Sequence, residues 1–273
     1  KMIKVSFQGE RGAYSEAAAN SFFGEKKIET IPANTFAEVL DNTYTEKTKY
    51  SILPVENSIE GSVGQSYDLL YTTNLNATGE IYQRIEHCLI GKGELEDIDT
   101  VYSHPQALGQ CREFIEKNNI KTIPAYDTAG SVKIVKKLDV KNCACIASKE
   151  SSIIYDMPII SENIANNLNN HTRFLILSKE ESEETEKDKT SIIFSIKHEP
   201  GSLHKIIENF YQNNINLTKI ESRPTKENIW EYNFYVDFEG HEKNYKISSM
   251  LDKIRKETTF MKILGSYPIA KLS

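Results

Sequence analysis

Residues 190–210 read TSIIFSIKHEPGSLHKIIENF. Ile192, Phe194 and Ile196 alternate, as on a β-strand with one buried face. Pro200-Gly201 breaks the run. Leu203, Ile206, Ile207 and Phe210 then recur at i, i+3, i+4 and i+7, the stripe of an amphipathic helix. Toward the C-terminus, Thr218, Ile220 and Ser222 share one face of a second strand. Trp230, Tyr232, Phe234, Val236 and Phe238 alternate in a third. Ile247, Met250, Leu251 and Ile254 form a second helical stripe, and Met261 to Leu264 a short last strand. The order βαββαβ is the ferredoxin-like arrangement. An α+β domain with its own core is expected over residues 190–273.

Upstream, residues 180–189 read EESEETEKDK and hold no apolar side chain. That composition predicts a solvated linker. The first 179 residues alternate differently. Strands are expected at 3–7, 28–31, 51–53, 83–90, 100–103, 122–125, 143–147 and 172–178. Helices are expected at 13–23, 35–46, 59–73, 105–118, 129–138 and 149–155. Strands alternating with helices predict an α/β domain with largely parallel pairing.

Composition narrows the function. The chain has 273 residues, 39% hydrophobic and 26% charged, with a formal net charge of −6. That balance argues against a general nucleic-acid binder, whose affinity comes largely from neutralising phosphates. No apolar run approaches the roughly 20 residues that span a membrane, and no secretion signal is visible. No membrane partner and a cytoplasmic location are expected. Cys88, Cys111, Cys143 and Cys145 lack partners at metal-ligand spacing, so buried thiols are expected and no metal. Asn76, Asn170 and Asn216 each open an Asn-x-Ser/Thr triplet, read as chance matches in the absence of a secretion signal.

Several strand-to-helix turns share one character. Gly9 to Ser15 follows the first strand. Asn57, with Glu60 three residues on, resembles a capping box. Ser103-His104-Pro105 puts a proline in the first turn of a helix, and Asp127-Thr128 precedes another. Helix N-termini carry free N–H groups and partial positive charge, and in an open α/β sheet they gather where ligands bind. A cleft for a small anion is expected. The Gly9-x-x-Gly12 loop lacks the third glycine of a dinucleotide fingerprint, and no phosphate loop is present. Ser103, Gln106 and Gln110 share one helix face. Asn170-His171-Thr172-Arg173-Phe174 is a polar cluster entering the apolar run Leu175-Ile176-Leu177; His171 alone is more often structural than catalytic.

With these segments in order, the chain resembles the prephenate dehydratases over essentially its full length. Gly9 to Glu16 is similar to the family's opening Gly-x-x-Gly-Thr-Phe-Ser-Glu motif, with Ala13-Tyr14 in place of Thr-Phe. Leu53 to Ser58 matches the Pro-x-Glu-Asn segment, and Ser103-His104-Pro105-Gln106 with Gln110-Cys111 matches another. Thr172-Arg173-Phe174 matches the Thr-Arg-Phe signature. Pro200-Gly201-Ser202-Leu203 and Glu221-Ser222-Arg223-Pro224 resemble the two signatures of an ACT regulatory domain, Ser202 standing where that family has alanine.

The resemblance implies a two-lobed catalytic domain like type 2 periplasmic binding proteins. Its lobes would be residues 1–75 with 160–179, and 76–158. It implies decarboxylating dehydration of prephenate to phenylpyruvate without a cofactor. Thr172, Glu56, Asn57, Ser103, Gln110 and Arg173 would serve catalysis, with Ser58, Thr128 and Phe174 binding substrate. Thr172 would donate to the leaving hydroxyl; Arg173 would orient a carboxylate or support the loop. It further implies phenylalanine as an allosteric effector, held near Gly201, Ser202, Leu203, Asn216, Leu217, Glu221 and Ser222 in a homodimer or homotetramer. Simple core packing is the competing reading of Leu203 and Leu217. The dehydratase motifs begin at the first strand, and no chorismate mutase segment is expected. Two other readings stay open: the same chemistry on arogenate, and a non-catalytic receptor for amino acids or small anions.

Overall fold

The computed structural model describes residues 2–225, 227–228 and 231–272. Trp230, expected in the third C-terminal strand, lies outside them. The first elements are β1 (Ile3–Gln8), α1 (Tyr14–Phe23), β2 (Ile28–Ala33), α2 (Phe36–Tyr44), β3 (Tyr50–Asn57), β4 (Gly61–Ser62), α3 (Gly64–Thr72) and β5 (Asn76–Arg84). Next come β6 (Cys88–Gly91), β7 (Thr100–Ser103), α4 (Pro105–Gln110), α5 (Arg112–Lys117), β8 (Lys121–Pro124), α6 (Thr128–Leu138), β9 (Cys143–Ala147), α7 (Lys149–Tyr155), β10 (Ile159–Ser161) and β11 (His171–Ser178). The C-terminal elements are β12 (Asp188–Ser195), α8 (Ser202–Gln212), β13 (Leu217–Pro224), β14 (Tyr232–Glu239), α9 (Tyr245–Glu257) and β15 (Phe260–Pro268).

Three sheets result. The first has the order β2-β1-β3-β11-β5, with β4 folded back on β3. The second has the order β10-β6-β9-β7-β8 and is mixed, since β6 meets both β9 and β10 antiparallel while β7 meets β8 and β9 parallel. The third, β13-β14-β12-β15, is antiparallel throughout.

The second sheet shows why its strands read as continuous apolar runs. Ala144 and Ile146 of β9 pack with Leu89, Val101 and the α4–α5 residues Ala107, Cys111 and Ile115. Cys145 and Ala147 point the other way, against Val132 and Val135 of α6. A sheet covered on both faces has no polar side. All four cysteines are buried and free.

Four expectations need correction. The run 83–90 is two strands in different sheets, broken at Ile85-Glu86-His87, because β5 pairs into the first sheet. The helix expected at 59–73 begins only at Gly64, since residues 57–62 make a tight β3–β4 turn. The helix expected at 105–118 is divided at Cys111. Finally, Asp188 and Lys189, inside the expected linker, belong to β12 and are buried.

By contacts the chain forms two compact units. One takes the chain through Ser66 together with Ile81–Phe174; the other takes Tyr67–Glu80 and Leu175–Lys271. The second unit holds the βαββαβ sheet. Its core joins Ile192, Phe194, Ile206, Phe210, Val236 and Phe238 to the α9 stripe Ile247, Met250, Leu251 and Ile254. Each such side chain contributes about 1.5–3 kcal/mol when fully buried. The α3 residues of this unit are bonded to the same sheet. Tyr235 Oη donates to the Tyr67 carbonyl at 2.9 Å, and Arg223 Nη2 lies 3.2 Å from Asp68 Oδ1. Lys262 Nζ donates to the carbonyls of Leu70 and Tyr71 at 2.9 and 3.2 Å, a cation at a helix C-terminus. Among the described residues, no helix is long and apolar enough to cross a membrane.

Candidate active site

A cavity of about 280 Å³ lies within the first unit, between its two sheets. Four helices begin at its wall, Phe36 opening α2. Ala13, Tyr14 and Ser15 come from the start of α1; His104, Gln106 and Ala107 from that of α4; Asp127 and Thr128 from that of α6. The expectation of converging helix N-termini is met on these three turns. The fourth expected turn works otherwise. Asn57 Oδ1 accepts from the backbone N–H of Ile59 and of Glu60, both at 3.0 Å, and so fixes the β3–β4 turn rather than a helix.

Those two backbone donors set the direction of a longer chain. With Oδ1 committed as acceptor, Asn57 Nδ2 is the donor. It donates to Asn170 Oδ1 at 2.7 Å and to Thr172 Oγ1 at 3.0 Å. Asn170 Nδ2 then donates to Gln110 Oε1 at 3.1 Å. His87 Nε2 lies 2.7 Å from that same oxygen. Thr172 lines the cavity, and its oxygen already accepts from Asn57. Its own proton is thereby left for another acceptor.

Strand alternation sorts the sequence-predicted residues. Thr172 and Phe174 of β11 line the cavity, as do Asn57, Gln110 and Thr128. Arg173, between Thr172 and Phe174, is not a lining residue; it is buried, with Nη1 3.6 Å from Glu56 Oε2. Glu56 likewise precedes lining Asn57 and is absent from the wall. Ser103 is wholly buried and donates to the Ile146 carbonyl at 2.7 Å, stitching β7 to β9. Ser58 accepts from the backbone N–H of His171 and donates to the Asn169 carbonyl, so it holds the 169–171 turn. His171 does not line the cavity, and its Nε2 is buried without a hydrogen-bond partner among the described residues.

The structure adds His87, which no quoted segment contains; Tyr14, His104, Asp127 and Asn170 stood in quoted segments without a role of their own, and all five line the cavity. Burial raises the Asp127 carboxyl from its ordinary value, partly opposed by the Gly130 N–H it caps. Burial lowers the His87 imidazole, with the Gln110 bond opposing. Among the described residues, no group of His, Cys, Asp or Glu could hold a metal ion.

The Gly9–Ser15 loop fastens the two halves of this unit. The Gly12 carbonyl accepts from Ser148 and Ser151 at 2.9 and 3.0 Å, and Tyr155 Oη donates to the Arg11 carbonyl at 2.7 Å. Gly12 has φ +92°, and a Cβ there would stand 2.5 Å from Ser151 Oγ and 3.1 Å from its Cα. Gly12→Ala is therefore expected to displace the loop and lower kcat/KM about tenfold, the scale of a small misplacement at a site. Steady-state kinetics on a folded variant tests this; unchanged kcat/KM would show that the loop's seat on α7 is irrelevant to turnover.

The family model for prephenate dehydratase matches residues 5–182. The chain belongs to the prephenate dehydratase family. It is 38% identical to the prephenate dehydratase of Methanocaldococcus jannaschii over 267 residues, covering 95% of this chain and 96% of that one. It is 39% identical to the bifunctional chorismate mutase/prephenate dehydratase of Aquifex aeolicus over 275 residues, all of this chain and 75% of the relative. The fold is similar to that of the Arthrobacter aurescens prephenate dehydratase in complex with L-Phe, with a TM-score of 0.89 at 27% identity over 98% of this chain and 90% of that one.

Proposed function

We propose that the chain converts prephenate to phenylpyruvate, water and carbon dioxide, as a lyase of phenylalanine biosynthesis. The observation that carries this reading is the donor chain ending on Thr172. It leaves one hydroxyl proton directed by a fixed oxygen in a cavity walled by helix N-termini. In the reaction the ring C–O bond breaks and the hydroxyl leaves with its electron pair. The bond to the ring carboxylate breaks as well; its electrons complete the aromatic ring and carbon dioxide departs. One proton from solvent turns the departing hydroxide into water. Aromatisation supplies the driving force, so the protein's task is to hold two carboxylates and stabilise the developing hydroxide. The starts of α1 and α6 suit the carboxylates. Thr172 suits the hydroxide as a hydrogen-bond donor, since a free threonine hydroxyl is a poor acid. Asn57 and Gln110 would position substrate and Thr172, Phe174 would pack the ring, and Thr128 would meet a carboxylate. Glu56 and Arg173 would brace β3 against β11, with Ser58 and Ser103 holding the turn and strand behind the wall.

The second unit is proposed to be an ACT regulatory domain that binds phenylalanine. Its strand order and βαββαβ connectivity support this, and Gly201, Ser202 and Leu203 line a cavity of about 710 Å³. Asn216 precedes β13, and Leu217, Glu221 and Ser222 lie along that edge strand, where a second copy's sheet would join in a homodimer or homotetramer.

One experiment tests both parts: incubation with prephenate while phenylpyruvate is followed, with and without phenylalanine. Turnover is expected, and saturating phenylalanine is expected to lower it about tenfold, the scale of a common allosteric coupling. Turnover of arogenate alone would move the substrate assignment; equal rates with and without phenylalanine would remove the regulatory role.

A further inference from the structure

His87 takes no part in the chemistry above, yet both of its ring nitrogens are engaged. Nε2 faces Gln110 Oε1, whose identity as oxygen is dictated by the amide chain that starts at the backbone of Ile59 and Glu60. Nε2 therefore carries a proton. Nδ1 lies 2.9 Å from Tyr14 Oη, and that hydroxyl lies 2.6 Å from the Glu86 carbonyl. A hydroxyl has one proton to give. Given to the nearer carbonyl, it leaves Nδ1 facing an oxygen lone pair, an arrangement completed only by a second ring proton. The geometry thus has a place for a second ring proton. Burial opposes the charge, since His87 is only 2% exposed.

The cavity wall contains no lysine or arginine among the described residues; His87 and His104 are its basic side chains. His104 Nδ1 accepts from the Gln106 N–H at 3.2 Å, which commits that lone pair to the helix cap. We propose that His87 is the proton-linked cation of this site: it takes up a proton when a dianionic substrate enters, and Tyr14 holds its Nδ1–H. The inference rests on the prephenate reading, which supplies the dianion. An anion nearby favours the charged ring and a dry wall disfavours it, so occupancy decides the protonation state.

The groups facing His87 are consistent with this. Tyr14 comes from α1 and Gln110 from α4, while Cys88 of β6 and Cys111 beside Gln110 act on Tyr14. Burial raises Tyr14, Cys88 and Cys111, which keeps them neutral. The Glu86 carboxylate pairs with Arg84 at 3.3 Å, and Glu162 of the returning segment pairs with Lys149 at 3.2 Å. Glu150 of α7 acts on Tyr14 from a distance. His104 and Asp127 share the cavity wall.

The test is the pH dependence of kcat/KM for the full chain, its His87→Gln variant and its Tyr14→Phe variant. Glutamine keeps an N–H for Gln110 but cannot become charged. In the unaltered chain kcat/KM should fall roughly tenfold per pH unit above the pKa of free His87. His87→Gln should lose that limb and raise KM about tenfold at pH 6, with kcat within about threefold. Tyr14→Phe, which keeps the imidazole, should move the limb to lower pH. Calorimetry of prephenate binding to Thr172→Ala protein in buffers of different ionisation enthalpy should show proton uptake that Thr172→Ala/His87→Gln lacks. Parallel pH profiles, an unmoved limb in Tyr14→Phe, or equal proton uptake would overturn the proposal. Absence of prephenate binding and turnover in the unaltered chain is a different result: it overturns the substrate reading and takes this inference with it.

Discussion

Replacing Thr172 by alanine is expected to lower kcat about a hundredfold or more, the scale of losing one preorganised donor in a transition state. The reason lies in which atoms are already committed. Asn57 spends its oxygen on two backbone N–H groups and its nitrogen on Asn170 and Thr172. Thr172 Oγ1 is thus held as an acceptor before substrate arrives, and its proton is preoriented without cost at the moment of reaction. Removing the hydroxyl removes that donor and also leaves Asn57 with one bond fewer. Binding should change much less, because a neutral hydroxyl meets a neutral hydroxyl in the ground state and a developing hydroxide only in the transition state. KM is expected within a few-fold of its starting value, consistent with loss of a transition-state contact. Thr172→Ser restores the hydroxyl and should retain turnover to within about tenfold of the unaltered chain. Steady-state formation of phenylpyruvate measures both; near-normal kcat in folded Thr172→Ala protein would remove Thr172 from the mechanism.

The neighbouring arginine shows how far sequence carries. The polar cluster 170–174 was legible as a site because a polar segment leading into an apolar strand is unusual. Which of its residues face the cavity follows from strand period alone: Thr172 and Phe174 share one side of β11, and Arg173 takes the other. The same alternation separates Glu56 from Asn57 on β3. His87 was not legible. It sits in a three-residue crossing between β5 and β6 that contains neither glycine nor proline, so nothing local marks the break in the run 83–90. The break is imposed by pairing: β5 belongs to the first sheet and β6 to the second. The βαββαβ order at the C-terminus was readable because each element carries its own period, and the buried residues of α8 and α9 all fall on the stripes read from sequence. The assignment of Tyr67–Glu80 to that second unit was not, because those residues are held by partners more than a hundred positions away.

Lys189 gives the second large effect and the sharpest case of a charge misread by composition. It closes a run of ten residues without an apolar side chain, yet its side chain is only 6% exposed and that of Glu80 is 0% exposed. Nζ lies 2.9 and 3.0 Å from the two carboxylate oxygens, and Glu80 Oε1 also accepts from the Ala270 N–H at 3.1 Å. Taking two charges out of water costs several kcal/mol for each, and their attraction at this distance offsets the cost only while both are present. Lys189→Met should therefore destabilise the second unit by about 3–5 kcal/mol, because it leaves a buried carboxylate facing a methyl group. Glu80→Leu should cost a similar amount by removing the carboxylate paired with the buried ammonium. The double variant Lys189→Met/Glu80→Leu removes both charges and is expected to recover most of the loss, leaving about 1–2 kcal/mol for the Ala270 N–H that loses its acceptor. Denaturant unfolding of the three variants decides the matter. Additive losses in the double variant would mean that the two charges are solvated separately; strong non-additivity would mean that the end of the acidic run is anchored by a pair whose worth depends on never being half made.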